Sequence, residues 1–269
     1  MEIQRSVSKR IICDLISLDK DPIGGIHLRI NDNNVLDIEC LIVGPPDTPY
    51  EGGFYMFTIR MPTCYPDKPP IVKFVTTDGR VRFHPNLYAC GKVCLSILGT
   101  WDGPSWSPVM SLRSVVLSLQ SLLGYANPIQ CEPGFENESV TSIRNLNYNM
   151  VLTFQNLRYA VVHMITTPTL VNFKDIIWKI YSKNESQYRE LLSRRHIEYC
   201  ETRSNGEYVQ SIYGMYLSID YKKIRLPLLT GAVAEQPTEA EPSAEISAEI
   251  SDPSKILLGL VPKDDGCSL

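Results

Sequence analysis

The apolar residues of the first segment recur every three or four positions along the chain. They are Ile3, Val7, Ile11, Leu15 and Leu18. This spacing puts them on one face, so it predicts an amphipathic helix that ends near Asp21-Pro22. Three basic residues, Arg5, Lys9 and Arg10, lie between the apolar positions and would occupy the opposite face.

Alternation of apolar and polar residues follows in three segments, 26–30, 36–42 and 54–61. A period of two predicts strands with one buried face. Segment 71–75 supplies a fourth strand, and a turn candidate at 31–34 separates the first two. Strands that follow one another with short connections favour an antiparallel meander, so the fold class is predicted to be α+β.

Helical spacing returns after the fourth strand. Segment 109–123 carries a broad apolar face and stops at Gly124, which predicts a central helix packed on the sheet. Further along, 145–165 and 175–200 each have the spacing of a helix, and an apolar segment, 208–219, follows them. These segments predict a helical extension beyond the central helix.

The composition is typical of a globular protein with reduced thiols. The 269 residues are 43% hydrophobic and carry a formal net charge of −4, which gives no basic excess for nucleic acid. No apolar stretch has membrane-spanning length and no leader pattern opens the chain, so we expect no membrane partner and a cytoplasmic or nuclear location. Eight cysteines without a secretory signal favour free thiols over disulfides.

The composition changes at Thr230. Beyond it Pro, Ala, Ser and Glu dominate, and Ser-Ala-Glu-Ile occurs twice in succession at 243–250. Eight acidic residues and two lysines give this tail a charge of −6, which leaves +2 for the rest of the chain. We therefore expect a disordered acidic tail at 230–269, which follows a core domain at 1–140 and a helical extension at 141–229.

One short segment carries the candidate chemistry. His84-Pro85-Asn86 is followed by Cys94, eight residues after the asparagine, and then by Trp-Ser-Pro at 106–108 ahead of the predicted central helix. This arrangement resembles the active site of the ubiquitin-conjugating enzymes.

Two further segments support the resemblance, Gly-Pro-Pro-Asp-Thr-Pro-Tyr-Glu-Gly-Gly at 44–53 and Tyr-Pro-Asp-Lys-Pro-Pro at 65–70. Gly-Thr-Trp-Asp-Gly-Pro at 99–104 is similar to the linker of the family's large subgroup, whose members also carry an extension. The resemblance implies the UBC-like fold, with an N-terminal helix, a four-stranded antiparallel meander sheet, an active-site loop and a central helix. It also implies that the extension after this core is a C-terminal helical one.

The resemblance implies that Cys94 accepts ubiquitin or a related protein from an activating enzyme as a thioester, then passes it to a substrate lysine or a ligase. A thiol suits this task because it is both a nucleophile and a leaving group. Asn86 is the family's candidate donor to the oxyanion, and its alternative role is to bond the backbone of its own loop. His84 and Pro85 are expected to shape the loop.

In the family, a carboxylate after the central helix assists the incoming lysine, and this chain differs from the family pattern at that position. Family members commonly carry Asp-Asp-Pro-Leu after the central helix, where this chain has Gln130 and, two residues later, Glu132. Glu132 is therefore the candidate for deprotonating or orienting the lysine.

Two sets of residues are expected, by the same resemblance, to contact partner proteins. The basic face of the first helix, Arg5, Lys9 and Arg10, would meet the activating enzyme and in part the ligase, or would remain a solvated helix face. The expected ligase surface consists of Tyr65, Lys68, Pro69, Pro108 and Val109.

Other functions stay open beside this one. A non-catalytic ubiquitin-binding or scaffold variant of the same fold is the main alternative, since the extension and tail could dominate the biology. A papain-like hydrolase is disfavoured because Cys94, His84 and Asn86 lie within one loop. A zinc site at Cys90, Cys94, His84 and Cys131 is disfavoured because no second cysteine pair exists.

No bound cofactor is expected, because the activating enzyme consumes the ATP.

Overall fold

The first helix has the predicted position in the structure, a computed structural model that describes residues 2–31 and 34–229. Helix α1 (Glu2–Lys20) ends just before Asp21-Pro22. Its buried side chains include the predicted apolar positions Val7, Ile11, Leu15 and Leu18. The amphipathic helix is therefore confirmed, and its apolar face packs into the core.

The predicted meander is confirmed as well. Strands β1 (Ile26–Asn31), β2 (Asn34–Val43), β3 (Phe54–Arg60) and β4 (Ile71–Phe74) form one sheet in the order β1-β2-β3-β4. Every neighbouring pair is antiparallel. Apolar side chains of the central strands are buried, among them Cys40 of β2 and Phe57, which is its partner on β3.

The connection between β2 and β3 needs glycine for packing. Gly44 and Gly53 approach each other closely enough for the N–H of Gly44 to donate to the carbonyl of Gly53 at 2.8 Å. A Cβ added at Gly53 would lie 2.1 Å from Oδ1 of Asn156, which belongs to the extension. The same Oδ1 accepts a hydrogen bond from Tyr55 at 2.7 Å. The glycines thus make room for a buried contact between the sheet and the extension.

The central helix starts later than its spacing predicts. Helix α2 (Leu112–Leu122) excludes Val109, which is 90% exposed. The backbone N–H of Leu112 donates to Oδ2 of Asp14 at 3.0 Å, so a carboxylate from α1 satisfies the first turn of α2. The predicted helix is confirmed, but its start at 109 was wrong, because the helix begins after its N-cap residue Ser111, whose backbone N–H donates to Oγ of Ser114 at 3.3 Å.

The extension contains helices, as predicted. One segment that was predicted as a single helix forms two helices. Helix α3 (Ile143–Gln155) continues as a π-helical stretch (Asn156–His163), which confirms the helix predicted at 145–165. The predicted helix at 175–200 is two helices, α4 (Lys174–Lys183) and α5 (Glu185–Cys200). They separate at Asn184, whose side-chain amide donates to the carbonyl of Ile180 at 2.8 Å.

The apolar segment at 208–219 is not helical. It forms a hairpin of two short strands, β5 (Tyr208–Gln210) and β6 (Tyr216–Ser218), so the helical extension also contains a hairpin where the sequence indicated only an apolar segment. Tyr208 and Tyr216 stack across the pair with ring centroids 4.9 Å apart. Burial alternates in the first strand, with Val209 buried between exposed neighbours, which is the pattern of a strand.

Core and extension share one hydrophobic interior. The buried cluster runs continuously from Val7 in α1 to Leu226 after the hairpin. Polar contacts reinforce it: Arg158 and Gln155 both bond Oδ2 of Asp78, at 2.9 and 2.7 Å. The proposed division at residue 140 stays a prediction, and the predicted tail lies outside the described residues. Within the described part of the chain, no helix combines the length and apolar character that crossing a membrane requires.

Asp14 joins three elements of the fold. This carboxylate is 7% exposed and accepts hydrogen bonds from Nε of Arg10 at 3.0 Å, from the N–H of Leu112 at 3.0 Å and from the hydroxyl of Tyr65. Tyr65 lies in the loop after β3, so Asp14 links α1, that loop and the start of α2. Burial, reinforced by the bond to Asp14, raises the pKa of Tyr65.

We expect Asp14→Ala to lower the free energy of unfolding by about 3 kcal/mol, because it leaves a buried hydroxyl and a helix N–H without their acceptor. Urea denaturation monitored by fluorescence measures the loss. Asp102→Ala, at an exposed carboxylate, is the control and should change stability by less than about 0.5 kcal/mol. Equal effects of the two substitutions would contradict the role given to Asp14.

Candidate active site

The segment from His84 to Cys94 folds back on itself. Leu87 bridges Val93, and the N–H of Tyr88 donates to the carbonyl of Lys92 at 3.0 Å. This tight return brings residues eight positions apart into contact. The eight-residue separation of Asn86 and Cys94 therefore places the two residues side by side across this turn.

Asn86 and Cys94 bond each other in both directions. The N–H of Cys94 donates to the backbone carbonyl of Asn86 at 2.9 Å, and the side-chain Nδ2 of Asn86 donates to the carbonyl of Cys94 at 2.8 Å. The loop-bonding role considered for Asn86 is thus present. An amide nitrogen carries two hydrogens, so the second one can serve an oxyanion at the thioester. The oxyanion role itself stays a prediction.

The thiol of Cys94 is shielded. Cys94 is 1% exposed, whereas Cys90 on the same turn is exposed. A nucleophile that must receive another protein's carboxyl end cannot react while it is buried. The thioester role expected for Cys94 would therefore require the segment around it to open, which the sequence did not indicate.

His84 is a neutral, buried part of the loop. Its Nδ1 accepts the backbone N–H of Asn86 at 3.0 Å. Burial, helped by the charge of Arg82, lowers the pKa of His84 to about 3. The lone pair of Nδ1 is used by the backbone, so the imidazole fixes the position of Asn86. Pro85, also buried, presents its carbonyl to the guanidinium of Arg82 at 3.1 Å.

Glu132 follows a 3₁₀ turn (Pro128–Cys131) after α2, near the position that the resemblance suggests. Its Oε2 accepts a hydrogen bond from the hydroxyl of Tyr213 at 2.6 Å and lies 3.6 Å from Nη2 of Arg82. Gln130, two residues earlier, donates to the carbonyl of Glu138 at 2.9 Å. Glu132 therefore already has a hydroxyl and a cationic partner, neither of which its sequence position indicated.

The structure brings the basic face of α1 next to the turn that precedes α2. Arg10 donates to the carbonyl of Pro108 at 3.2 Å and to that of Met110 at 2.7 Å. Lys9, Pro108 and Val109 are exposed in the same region. The side chain of Arg5 lies outside the described side chains.

The loop after β3 contributes its residues unequally. Tyr65 is 1% exposed, so it supports the expected ligase surface from beneath and does not form it. Lys68 is exposed and Pro69 half-buried, and both line a cavity of about 280 Å³ together with Val93 and Leu98. That cavity connects the expected ligase surface to the segment that carries Cys94.

The cysteines do not form a metal centre in the part of the chain that the structure describes. Its seven cysteines are all free thiols. Across residues 2–31 and 34–229, no group of three or more His, Cys, Asp and Glu side chains is arranged to hold a metal ion. Burial raises the pKa of Cys131 to about 11, so this thiol stays protonated at neutral pH.

The fold and the site together are an α+β domain in which a cysteine lies beside an asparagine amide in a closed turn. The family model for ubiquitin-conjugating enzymes matches residues 10–145. This match covers half of the chain and includes the second half of α1, the sheet, the active-site segment and α2. The chain belongs to the ubiquitin-conjugating enzyme family.

Similar proteins include ubiquitin-conjugating enzyme E2 Z of Danio rerio, 44% identical over 180 residues, which are 66% of this chain and 54% of that protein. Ubiquitin-conjugating enzyme E2 Z of Homo sapiens is 48% identical over 157 residues, 58% of this chain and 44% of the relative. The chain thus spans about half the length of the curated relatives that it matches. The solved structure of human ubiquitin-conjugating enzyme E2 G1 is 36% identical in sequence to this chain, with a TM-score of 0.39. The superposition covers 44% of this chain and 93% of the E2 G1 chain.

The neutral state of His84 makes stability depend on pH. Below the unfolded-state pKa of about 6.5 the unfolded chain takes up a proton, while the folded protein does not until about pH 3, so acid favours unfolding. Between about pH 7 and pH 5 we expect His84 to account for a loss of about 2 kcal/mol.

Urea unfolding of wild type and His84→Asn at both pH values measures this contribution, because asparagine can still accept the N–H of Asn86 and does not titrate. The wild type should lose more stability on acidification than the variant. Identical pH dependence of the two proteins would show that His84 does not stay neutral in the fold.

Proposed function

We propose that the protein carries ubiquitin, or a ubiquitin-like protein, as a thioester on Cys94. It accepts the modifier from an activating enzyme and transfers it to a substrate lysine, directly or through a ligase. The observation that carries this proposal is the reciprocal bonding of Asn86 and Cys94, which fixes an amide donor beside the thiol. Membership of the ubiquitin-conjugating enzyme family supports the same chemistry.

The partners and conditions follow from this chemistry. We propose a modifier, an activating enzyme, a ligase and protein substrates as partners, with no role for nucleic acid or membrane. No bound cofactor is required, because the activating enzyme uses the ATP. The free thiols of the seven described cysteines agree with a reducing cytoplasmic or nuclear setting.

One observation favours the alternative function. A cysteine that is 1% exposed fits a non-catalytic ubiquitin-binding or scaffold protein, in which the thiol is only a small packed side chain. The two functions differ in whether Cys94 becomes accessible when the activating enzyme binds. Charging of the thiol decides between them.

Incubation with activating enzyme, ATP and modifier should give an adduct that resists a non-reducing gel and disappears with a thiol reductant. We expect Cys94→Ala to abolish this adduct. Cys90→Ala, at the exposed thiol of the same turn, is the matched control and should charge like wild type. Absence of any Cys94-dependent adduct across a panel of activating enzymes and modifiers would support the scaffold function.

The oxyanion role of Asn86 is tested on protein that has already been charged. Asn86→Ala should still load, but it should discharge to free lysine about 100- to 1000-fold more slowly, as expected for the loss of one oxyanion donor. Single-turnover discharge after quenching of the activating enzyme gives the rate. Thermal unfolding of the variant controls for the lost bond to the Cys94 carbonyl, and discharge at the wild-type rate would exclude the oxyanion role.

A further inference from the structure

The guanidinium of Arg82 lies between two tyrosine rings beside the active-site segment. Its central carbon is 3.7 Å from the ring centroid of Tyr88 and 4.0 Å from that of Tyr213. Both distances are well within the range of a favourable cation–π contact. Tyr88 belongs to the active-site turn, whereas Tyr213 belongs to the extension. One cation thus bridges the two parts of the molecule.

Arg82 is also hydrogen-bonded to the loop that holds Asn86. Its Nε donates to the carbonyl of Pro85 at 3.1 Å, and its Nη2 donates to the same oxygen. Nη2 lies 3.6 Å from the carboxylate of Glu132. The side chain of Arg82 is only 14% exposed, so these partners replace most of its water. The peptide that leads from Pro85 into Asn86 is therefore held by a largely desolvated cation.

Residues in the turn between β5 and β6, which belongs to the extension, contact both Arg82 and Glu132. Tyr213 has φ of +62°, in the left-handed region that bulky residues rarely adopt, and its hydroxyl donates to Glu132 at 2.6 Å. Met215, on the same turn, accepts the backbone N–H of Arg82 through sulfur at 3.4 Å. Tyr148 of α3 donates to the carbonyl of Arg82 at 3.0 Å. The extension thus contacts both the backbone and the side chain of one residue in the active-site loop.

We propose that Tyr213, Arg82 and Glu132 form a positioning clamp through which the extension sets the geometry of the active-site segment. The proposal rests on the thioester function proposed above. Arg82 and Tyr213 are positioning residues, because their contacts are with the Pro85 carbonyl and with each other. Glu132 acts in the clamp as the countercharge of Arg82 and the acceptor for Tyr213, while its expected role in activating lysine stays a prediction.

The catalytic consequence follows from the small tolerance of an oxyanion site. A donor displaced by about 1 Å can lower a rate by about 100-fold, because the bond forms fully only in the transition state. The clamp acts one peptide before Asn86, so its loss should move the amide donor without removing the thiol. The maximal discharge rate should therefore fall, while lysine binding stays the same.

Substitutions at Tyr213 separate the ring from the backbone conformation. Tyr213→Asn removes the ring, but asparagine tolerates the left-handed region. Tyr213→Phe keeps the ring over Arg82 and removes only the hydroxyl bond to Glu132. Tyr216→Asn is the matched control, because Tyr216 lies on the same hairpin and stacks on Tyr208.

Two measurements on the full chain test the clamp. The first is hydrogen exchange of the amides of residues 86–94 in the uncharged protein. The second is single-turnover discharge of charged protein over a range of free lysine concentrations. We expect Tyr213→Asn to speed exchange and to lower the maximal discharge rate, each about tenfold, with the half-saturating lysine concentration unchanged. Tyr213→Phe should lie within about threefold of wild type, and Tyr216→Asn should match it.

Each outcome decides a separate point. Unchanged exchange in Tyr213→Asn would overturn the clamp, even if the wild type failed to charge and the proposed function were lost. Faster exchange with a wild-type discharge rate would overturn its positioning role. A higher half-saturating lysine concentration at an unchanged maximal rate would assign Tyr213 to lysine binding instead. A similar loss in Tyr216→Asn would show that the effect reflects hairpin stability alone.

Discussion

The reciprocal hydrogen bonds between Asn86 and Cys94 are the constraint on which the site depends. They form only because the chain reverses direction between these residues, and the reversal requires glycine at position 91. Gly91 has φ of +88°, and a Cβ there would lie 2.7 Å from the carbonyl of Phe74. The N–H of Phe74 donates to the carbonyl of Gly91 at 2.9 Å, which ties the turn to the edge strand β4. Thiol and amide are thus parts of one structural unit.

The shielding of Cys94 has an energetic logic. A protonated thiol behaves as a small apolar side chain, so its burial stabilises the resting protein. The proposed thioester chemistry needs the opposite state, with the sulfur open to a large partner. A partner that binds only the open state shifts the population toward it by its differential affinity. Under the proposed function, binding of the activating enzyme would supply the free energy that exposes Cys94.

Sequence periodicity predicted α1, the four strands and α2 because each of these elements is specified by local spacing. The break at Asn184 was missed because both halves have helical spacing and the difference lies in distant contacts. Tyr181 on one side donates to the carbonyl of Pro227 at 2.6 Å, and Tyr188 on the other donates to that of Gly52 at 3.0 Å. The segment 208–219 was ambiguous for a different reason, since a short apolar run fits a helix or a strand equally well.

The sequence predicted the part of the site that lies in one contiguous motif. It did not predict the contacts between residues that are distant in sequence. His84, Asn86 and Cys94 lie in one turn, so their proximity followed from the sequence resemblance. The partner of Glu132, Tyr213, is 81 positions away and on an element whose type was not predicted. The burial of Cys94 likewise depends on the tertiary packing around the turn, which residue order alone does not specify.

Glu132 shows how a distant contact adds a structural role to a residue that the sequence marked for chemistry. A half-exposed carboxylate after the central helix would be free to take a proton from an incoming lysine. In this structure the carboxylate balances the charge of Arg82, which is largely removed from water. Protonation of Glu132 would leave that guanidinium without its countercharge and weaken the contact that holds the Pro85 carbonyl. The role of Glu132 toward an incoming lysine thus stays a prediction, and within the proposed clamp the carboxylate holds Arg82 against the loop that contains Asn86.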